Sequence, residues 1–270
     1  MGKPQSDSAR VDRTSHADEA RSFALQLADI ARPIALRYFR TALTITRKAD
    51  ASPVTAADLE IETELRRRIA ERFPDHGIIG EETGGTRGQN YTWVLDPIDG
   101  TQSFISGSPL FGLLIGLLHD ERPILGLIDI PATSERWIGD DKRTVFNGGE
   151  AYVSGCTSLA DARLYTTSLD VPAPEQRKCL DRLCSAVPFK CYDGNCYAYG
   201  LLASGHCDLV VDYGLEPSDY IPLVAVITGA GGSITDWDGR PLRLDSDGRV
   251  IAAASPKLLE EAIETLKRSG

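Results

Sequence analysis

The chain has 270 residues and a formal net charge of −10, with 42% hydrophobic and 25% charged residues. That length holds one large domain or two small ones, and the balance is that of a soluble globular protein with a sizeable core. The negative charge speaks against a nucleic-acid surface, and no apolar run is long enough to span a membrane, so a cytoplasmic protein with neither kind of partner is expected.

Residues 1–14 are polar, lack an apolar signal core and read as a disordered lead-in. Ser15, with Asp18 three residues on, is the capping signal for a first helix through Ala20, Leu27, Ile34 and Phe39, which Pro33 should kink or divide. A polar loop over 46–55 follows. A second helix starts near Thr55, carries Asp58 in its first turn and ends at Pro74. Ile78–Glu82 reads as a short strand ending in two acids, and Gly84–Gly88 as a flexible loop. Phe111–Leu118 and Pro123–Ile130 are apolar runs joined by four polar residues, a hairpin pattern. Glu135–Ile138 and Thr144–Phe146 continue the strands.

After about Ser154 strands and helices alternate. Strands are expected at Ala162–Thr166, Leu209–Asp212, Gly232–Asp236 and Val250–Ala253. Helices are expected at Glu175–Ala186, Cys196–Ser204, Ser218–Gly229 and Pro256–Lys267. The pattern gives an N-terminal α+β half (15–153) with an antiparallel sheet and a C-terminal α/β half (154–270) with a mixed sheet, and a site between the halves. Six cysteines (Cys156, Cys179, Cys184, Cys191, Cys196 and Cys207) form no Cys-x-x-Cys pair, and the four histidines are scattered. Reduced, mostly buried thiols are expected rather than a zinc or histidine site.

The stretch that organises the chain is Trp93-Val94-Leu95-Asp96-Pro97-Ile98-Asp99-Gly100-Thr101. A buried apolar strand ends here in a turn that aims Asp96 and Asp99 into one cavity. Two such carboxylates repel unless they share a proton or hold a cation, and all-oxygen ligands suit Mg²⁺. The amides of Gly100 and Thr101 follow directly and can bind an anion. Glu81 and Asp219 also sit at element ends. Taken singly, each acid reads equally well as a turn, capping or surface residue.

Gly80-Glu81-Glu82, then Asp96-Pro97-Ile98-Asp99-Gly100-Thr101, then Asp219 ahead of Gly229-Ala230-Gly231-Gly232, together resemble the inositol monophosphatase family. Its members are Mg²⁺-dependent, lithium-sensitive phosphomonoesterases. The resemblance runs from about Ala20 to the C-terminus. It implies a layered α-β-α-β-α sandwich of the sugar-phosphatase type, a homodimer and two or three Mg²⁺ ions per site. Glu81, Asp96 and the Ile98 carbonyl would hold one ion. Asp96, Asp99 and Asp219 would hold a second, and a third, weaker ion would lie near Glu81, which thereby takes part in catalysis. Asp58, within Pro53-Val54-Thr55-Ala56-Ala57-Asp58, would orient the attacking water together with Thr101, and Glu82 would support the ligands. Glu81, Asp99, Gly100, Thr101, Asn195, Asp212 and Asp219 would contact a small phosphorylated substrate.

Where many members carry Trp-Asp, this chain has Pro217-Ser218-Asp219-Tyr220, which changes the substrate wall. That form is similar to the histidinol-phosphate phosphatase branch, as are Phe104-Ile105-Ser106-Gly107 and Tyr197-Ala198-Tyr199-Gly200-Leu201-Leu202. Three readings follow: a histidinol-phosphate phosphatase of histidine biosynthesis, an inositol-1-phosphate phosphatase, and a regulatory binding protein on the same fold. A carboxylate for the ammonium group of histidinol phosphate is expected at Asp212, with Asn195 on the same side. The alternative for Asp212 is a solvated acid at a strand end.

Overall fold

The computed structural model describes residues 7–43, 45–47, 53–169 and 173–268. In chain order its helices are α1 (Asp7–Tyr38), α2 (Ala56–Arg72), α3 (Thr101–Ser106), α4 (Pro174–Ala186), α5 (Asn195–Ala203), α6 (Pro217–Gly229) and α7 (Pro256–Lys267). The strands of the first half are β1 (Ile45–Arg47), β2 (Pro53–Thr55), β3 (Gly77–Gly80), β4 (Gly84–Thr86), β5 (Tyr91–Asp99), β6 (Gly112–His119), β7 (Arg122–Ile130), β8 (Glu135–Asp140), β9 (Thr144–Phe146) and β10 (Gly149–Ala151). Those of the second half are β11 (Arg163–Thr166), β12 (Phe189–Tyr192), β13 (Leu209–Asp212), β14 (Ser233–Asp236) and β15 (Val250–Ala253).

Several expectations need correction. The first helix starts at Asp7, not at Ser15, because residues 7–14 contain no Gly or Pro and helix propagates more easily than it nucleates. The lead-in expected over 1–14 is therefore helical from Asp7, and residues 1–6 lie outside the described residues. The helix runs through Pro33 undivided, with Ala28, Ala31 and Ala35 buried on either side of it. The ends of the loop over 46–55 pair as the antiparallel strands β1 and β2, and residues 48–52 between them lie outside the described residues. Gly84–Gly88 is not simply a loop, since Gly84–Thr86 forms β4 and turns back along β3. The next strand, β5, then enters beside β3 in the same direction, which puts one parallel pair into the otherwise antiparallel first sheet. All six cysteines are free, but only Cys184, Cys196 and Cys207 are buried.

Five layers result. The eight-stranded sheet has the order β10-β9-β8-β7-β6-β5-β3-β4, and the mixed five-stranded sheet the order β12-β11-β13-β15-β14. α1 and α2 cover the outer face of the first sheet, α5 and α6 lie between the sheets, and α4 and α7 cover the outer face of the second. Strand alternation assigns each side chain to a layer. On β5, Trp93 and Leu95 join the outer core, whereas Val94 joins the middle core with Tyr199, Ile221 and Val226. On β13, Leu209 and Val211 face α4 and α7, whereas Val210 faces inward. Full burial of such a side chain stabilises by about 1.5–3 kcal/mol, so a one-residue slip is strongly disfavoured. The same alternation turns Asp96 and Asp212 into the middle layer from opposite sheets.

A row of glycines seats α6. Gly116, Gly126 and Gly139 are cross-strand partners on β6, β7 and β8. A Cβ on Gly126 would lie 1.8 Å from the Pro222 carbonyl oxygen, and one on Gly139 would lie 2.5 Å from the Ala225 carbonyl oxygen. The helix backbone thus rests directly on the sheet, and its N-terminus is carried to the edge where β5 ends.

Gly126→Ala is expected to lose about 1–3 kcal/mol by overpacking, because backbone cannot yield as a side chain does. Gly149→Ala, whose Cβ would meet nothing nearer than 3.7 Å, should change stability by less than about 0.5 kcal/mol. Urea unfolding of the two variants measures the difference, and equal losses would remove the close seating of α6.

Candidate metal and active site

β5 does not stop before Asp96 but continues to Asp99, with the pairing to β6 slipping between the two. Pro97 lacks the N–H that a regular ladder would use at this point. The Ile98 amide donates instead to Asp96 Oδ1 at 3.0 Å, a local turn closed by the carboxylate itself. The irregularity brings Asp96 and Asp99 to one end of the strand. Gly100 follows with φ 78°, and a Cβ there would lie 2.7 Å from Asn195 Nδ2, so both conformation and space call for glycine. Helix α3 starts at once, with the Thr101 hydroxyl donating to the Ile98 carbonyl at 3.1 Å.

Two helices present acids by the same local device. In α2, Asp58 is the third residue after the cap Thr55 and accepts from the Thr55 amide at 2.9 Å and the Thr55 hydroxyl at 2.6 Å. In α6, Asp219 is the third residue after Glu216 and accepts from the Glu216 amide at 2.8 Å. Both are capping boxes at the positive end of a helix. Asp99 is held likewise, its Oδ2 accepting from the Cys196 amide at 2.6 Å.

Ligand atoms of Asp96, Asp99 and Asp219 lie within 4.8 Å of one another. Burial pushes Asp96 well above the ordinary carboxylate value, reinforced by Glu81, Asp99 and Asp219. Burial likewise raises Asp219 well above that value, with Asp99 and Glu81 adding to it. Asp99 is pushed up to about 6 by burial, against the opposing hydrogen bonds of Cys196. Asp58 is raised by burial, with Glu81 a lesser cause and the Thr55 hydrogen bonds opposing. The strongest electrostatic neighbours of Asp96 are therefore all carboxylates. Asp96 Oδ2 and Asp58 Oδ1 are buried and accept no hydrogen bond. A buried Asp96 oxygen without a donor, among acids that cannot all ionise together, fits a bound cation. The donors are all hard oxygens, which suit a hard divalent cation such as Mg²⁺ rather than a soft metal.

The remaining expected residues are placed as follows. Glu81 directly follows β3, its amide donating to the Leu95 carbonyl at 3.1 Å, so it stands beside Asp96. Asp212 is only 4% exposed, which excludes the solvated strand end. It accepts from the Thr167 amide at 2.7 Å and the Tyr199 hydroxyl at 2.9 Å. Burial raises its pKa. Asn195 Nδ2 donates to Ser103 Oγ at 3.1 Å and to the Leu110 carbonyl at 2.9 Å, so its amide hydrogens serve the protein interior.

Sequence reasoning missed the supports of Glu82, Asp99 and Asp212. The Glu82 amide donates to the buried carboxylate of Glu62 at 2.8 Å. Neither the thiol reading of Cys196 nor the motif that contains Tyr199 assigns these residues to Asp99 and Asp212, which they support. The patterns Thr55-x-x-Asp58 and Glu216-x-x-Asp219 were the signals that could have placed both helical acids.

The inositol monophosphatase family model matches residues 16–270 of the chain. A chloroplastic bifunctional phosphatase, IMPL2, of Arabidopsis thaliana is 44% identical over 252 residues, covering 89% of this chain and 73% of that protein. A histidinol-phosphatase of Chlorobaculum parvum is 35% identical, with 85% of this chain and 90% of that protein covered. Among solved structures, an inositol monophosphatase from Zymomonas mobilis is 42% identical, with a TM-score of 0.85, covering 93% of this chain and 98% of that one.

These raised acids fix the sign of a pH effect in the metal-free protein. Between the unfolded value near 3.8 and the folded value of about 6 for Asp99, the folded state binds more protons than the unfolded state. Stability is then highest below the lower value and falls as pH rises through the upper one. The melting temperature without metal is expected to fall from pH 5 to pH 7.5, and added Mg²⁺ to raise it more at pH 7.5. Asp96→Asn should raise the metal-free melting temperature at pH 7.5 and abolish the Mg²⁺-induced rise. Thermal melts with and without chelator measure both, and a variant that still gains stability from Mg²⁺ would remove Asp96 from the ligand set.

Proposed function

The chain belongs to the inositol monophosphatase family and is a metal-dependent phosphoric monoester hydrolase for small phosphorylated substrates, and from that premise we propose that it hydrolyses histidinol phosphate to histidinol and phosphate. The observation that carries the hydrolase chemistry is the set of three converging acids with a buried, donorless oxygen on Asp96. In this reading Glu81, Asp96 and the Ile98 carbonyl would hold one Mg²⁺, and Asp96, Asp99 and Asp219 would hold a second, with a weaker third ion near Glu81. Bound Mg²⁺ makes water a better nucleophile and neutralises the phosphoryl oxygens.

The chain's own groups supply orientation. Asp58 has one oxygen tied to Thr55 and the other, buried and without a donor, available to take a hydrogen of the attacking water. The Thr101 hydroxyl points its hydrogen at Ile98 and so offers its oxygen lone pairs to the same water. The amides of Gly100 and Thr101 would receive the phosphate, and Glu82 would support the ligand shell. The substrate assignment rests on two supports. One is the similarity to a histidinol-phosphatase. The other is Asp212, a buried carboxylate in the middle layer close enough to Asp99 to raise its pKa. A carboxylate has about four acceptor positions, so Asp212 keeps capacity for a substrate ammonium beyond its present bonds. Inositol-1-phosphate is the second reading, favoured by the likeness to the Zymomonas mobilis structure.

Thr101→Ala and Asp58→Asn are each expected to lower kcat by about 10²- to 10⁴-fold with little change in substrate binding. If only KM moves, both residues belong to binding. For the substrate, kcat/KM on histidinol phosphate, inositol-1-phosphate and an aryl phosphate is the test. Histidinol phosphate should be preferred, and Asp212→Asn should lose about 1.5–3 kcal/mol of transition-state stabilisation on it and little on the aryl phosphate. Equal losses on all three compounds would remove Asp212 from recognition. A preference for inositol-1-phosphate would replace the substrate and leave the hydrolase mechanism standing.

A further inference from the structure

Glu62 is fully buried, yet its carboxylate is not in the cluster described above. It lies one helical turn beyond Asp58, on the same face of α2. Its Oε2 accepts from the Glu82 amide at 2.8 Å. Its Oε1 accepts from the Thr83 amide at 3.1 Å, from the Thr83 hydroxyl and from Arg66 Nε at 2.7 Å. The chain after β3 thus wraps around one buried carboxylate. Gly80 is part of the same arrangement, since a Cβ there would lie 2.5 Å from Glu62 Cδ.

This grip acts on the residue between Gly80 and Glu82. The Glu81 amide is fixed to the Leu95 carbonyl on β5, and the next two amides are fixed to Glu62 on α2. The Glu81 backbone therefore cannot move relative to Asp96 without breaking either the ladder or the nest around Glu62. Because Asp58 sits on the same helix, α2 ties the proposed water-orienting acid and the proposed ligand Glu81 to one rigid body.

We infer that Glu62 is a positioning residue: its carboxylate holds the turn 81–83 so that Glu81 meets the metal alongside Asp96. The inference rests on Glu81 being a metal ligand. Glu62→Gln keeps the size but turns an NH₂ group toward one of the gripped N–H donors, so the turn must shift. Loss of a group that orients a metal ligand typically weakens metal affinity about 10- to 100-fold.

The experiment is calorimetric titration of the metal-free protein with Mg²⁺, without substrate, for wild type, Glu62→Gln, Glu81→Gln and Ile61→Val. Ile61→Val removes one buried methyl from the same helix and controls for lost stability. Glu62→Gln should weaken Mg²⁺ binding about 10- to 100-fold and recover at least half of wild-type kcat at saturating Mg²⁺, while Ile61→Val should bind Mg²⁺ as wild type does. A folded Glu62→Gln protein with wild-type Mg²⁺ affinity overturns the inference, as does a kcat that stays low at saturating Mg²⁺. If Glu62→Gln does not fold, Thr83→Val removes only the hydroxyl donor, and it should weaken Mg²⁺ binding about 10-fold, the low end of the range for lost outer partners. Unchanged affinity in Thr83→Val then counts against the role. Should Glu81→Gln itself bind Mg²⁺ normally, the ligand reading of Glu81 fails, whereas a weakened Glu81→Gln beside a normal Glu62→Gln sinks only the positioning role.

Discussion

Three carboxylates within 4.8 Å of one another repel, and the rest of the molecule has to hold them there. Asp58, Asp96, Asp99 and Asp219 are held in the same way: one oxygen of each accepts a main-chain N–H. That donor supplies a partial positive charge behind the acid and fixes its direction. On Asp96 and Asp58 it leaves the second oxygen buried without a donor. A side-chain cation in the same place would have relieved the repulsion but filled the coordination position. Main-chain donors relieve only part of it, so burial, with the neighbouring acids adding to it, still raises Asp96, Asp99 and Asp219 above the ordinary carboxylate value.

Because the grip comes from the main chain, the aim of each acid is only as good as the placement of its element. The middle core sets that placement. α6 reaches the end of β5 because the glycine row lets its backbone lie directly on three strands. α5 brings the Cys196 amide to Asp99 and the Tyr199 hydroxyl to Asp212 from one helix between the two sheets. Packing in the middle layer and geometry of the acids are thus one constraint, and a change that loosens the first misaims the second.

The sequence made the local devices legible and hid the non-local ones. The hairpin of β6 and β7 could be read because two apolar runs flank four polar residues, and the structure turns it at Asp120 and Glu121, both with positive φ. The Asp-Pro-Ile-Asp-Gly-Thr run announced itself because its residues act on neighbours within a turn. The strand β12 could not be read, since all four of its residues are exposed and no alternation marks them. The short hairpin of β9 and β10 carried an Asn147-Gly148 signal for a tight turn that the strand pattern overshadowed. Glu62 reads in the sequence as one more helical acid, because its amide partners lie 20 and 21 residues away across a strand. The glycine row exists only once register places Gly116, Gly126 and Gly139 side by side.

The charge of the whole chain bears on the order of binding. An anionic phosphate approaching a protein of net charge −10 meets, at its destination, acids gathered tightly enough to repel one another. The amides of Gly100 and Thr101 cannot offset that field at such short range. In the proposed reading, the site without a cation would therefore repel a phosphate. Each divalent ion adds two positive charges at the point of repulsion and reverses the sign of the local field. Metal and phosphate would then favour each other's binding, and by linkage the coupling would be the same in both directions. In that reading, the repulsion among the acids is the same energy that would make cation and phosphate bind as a pair.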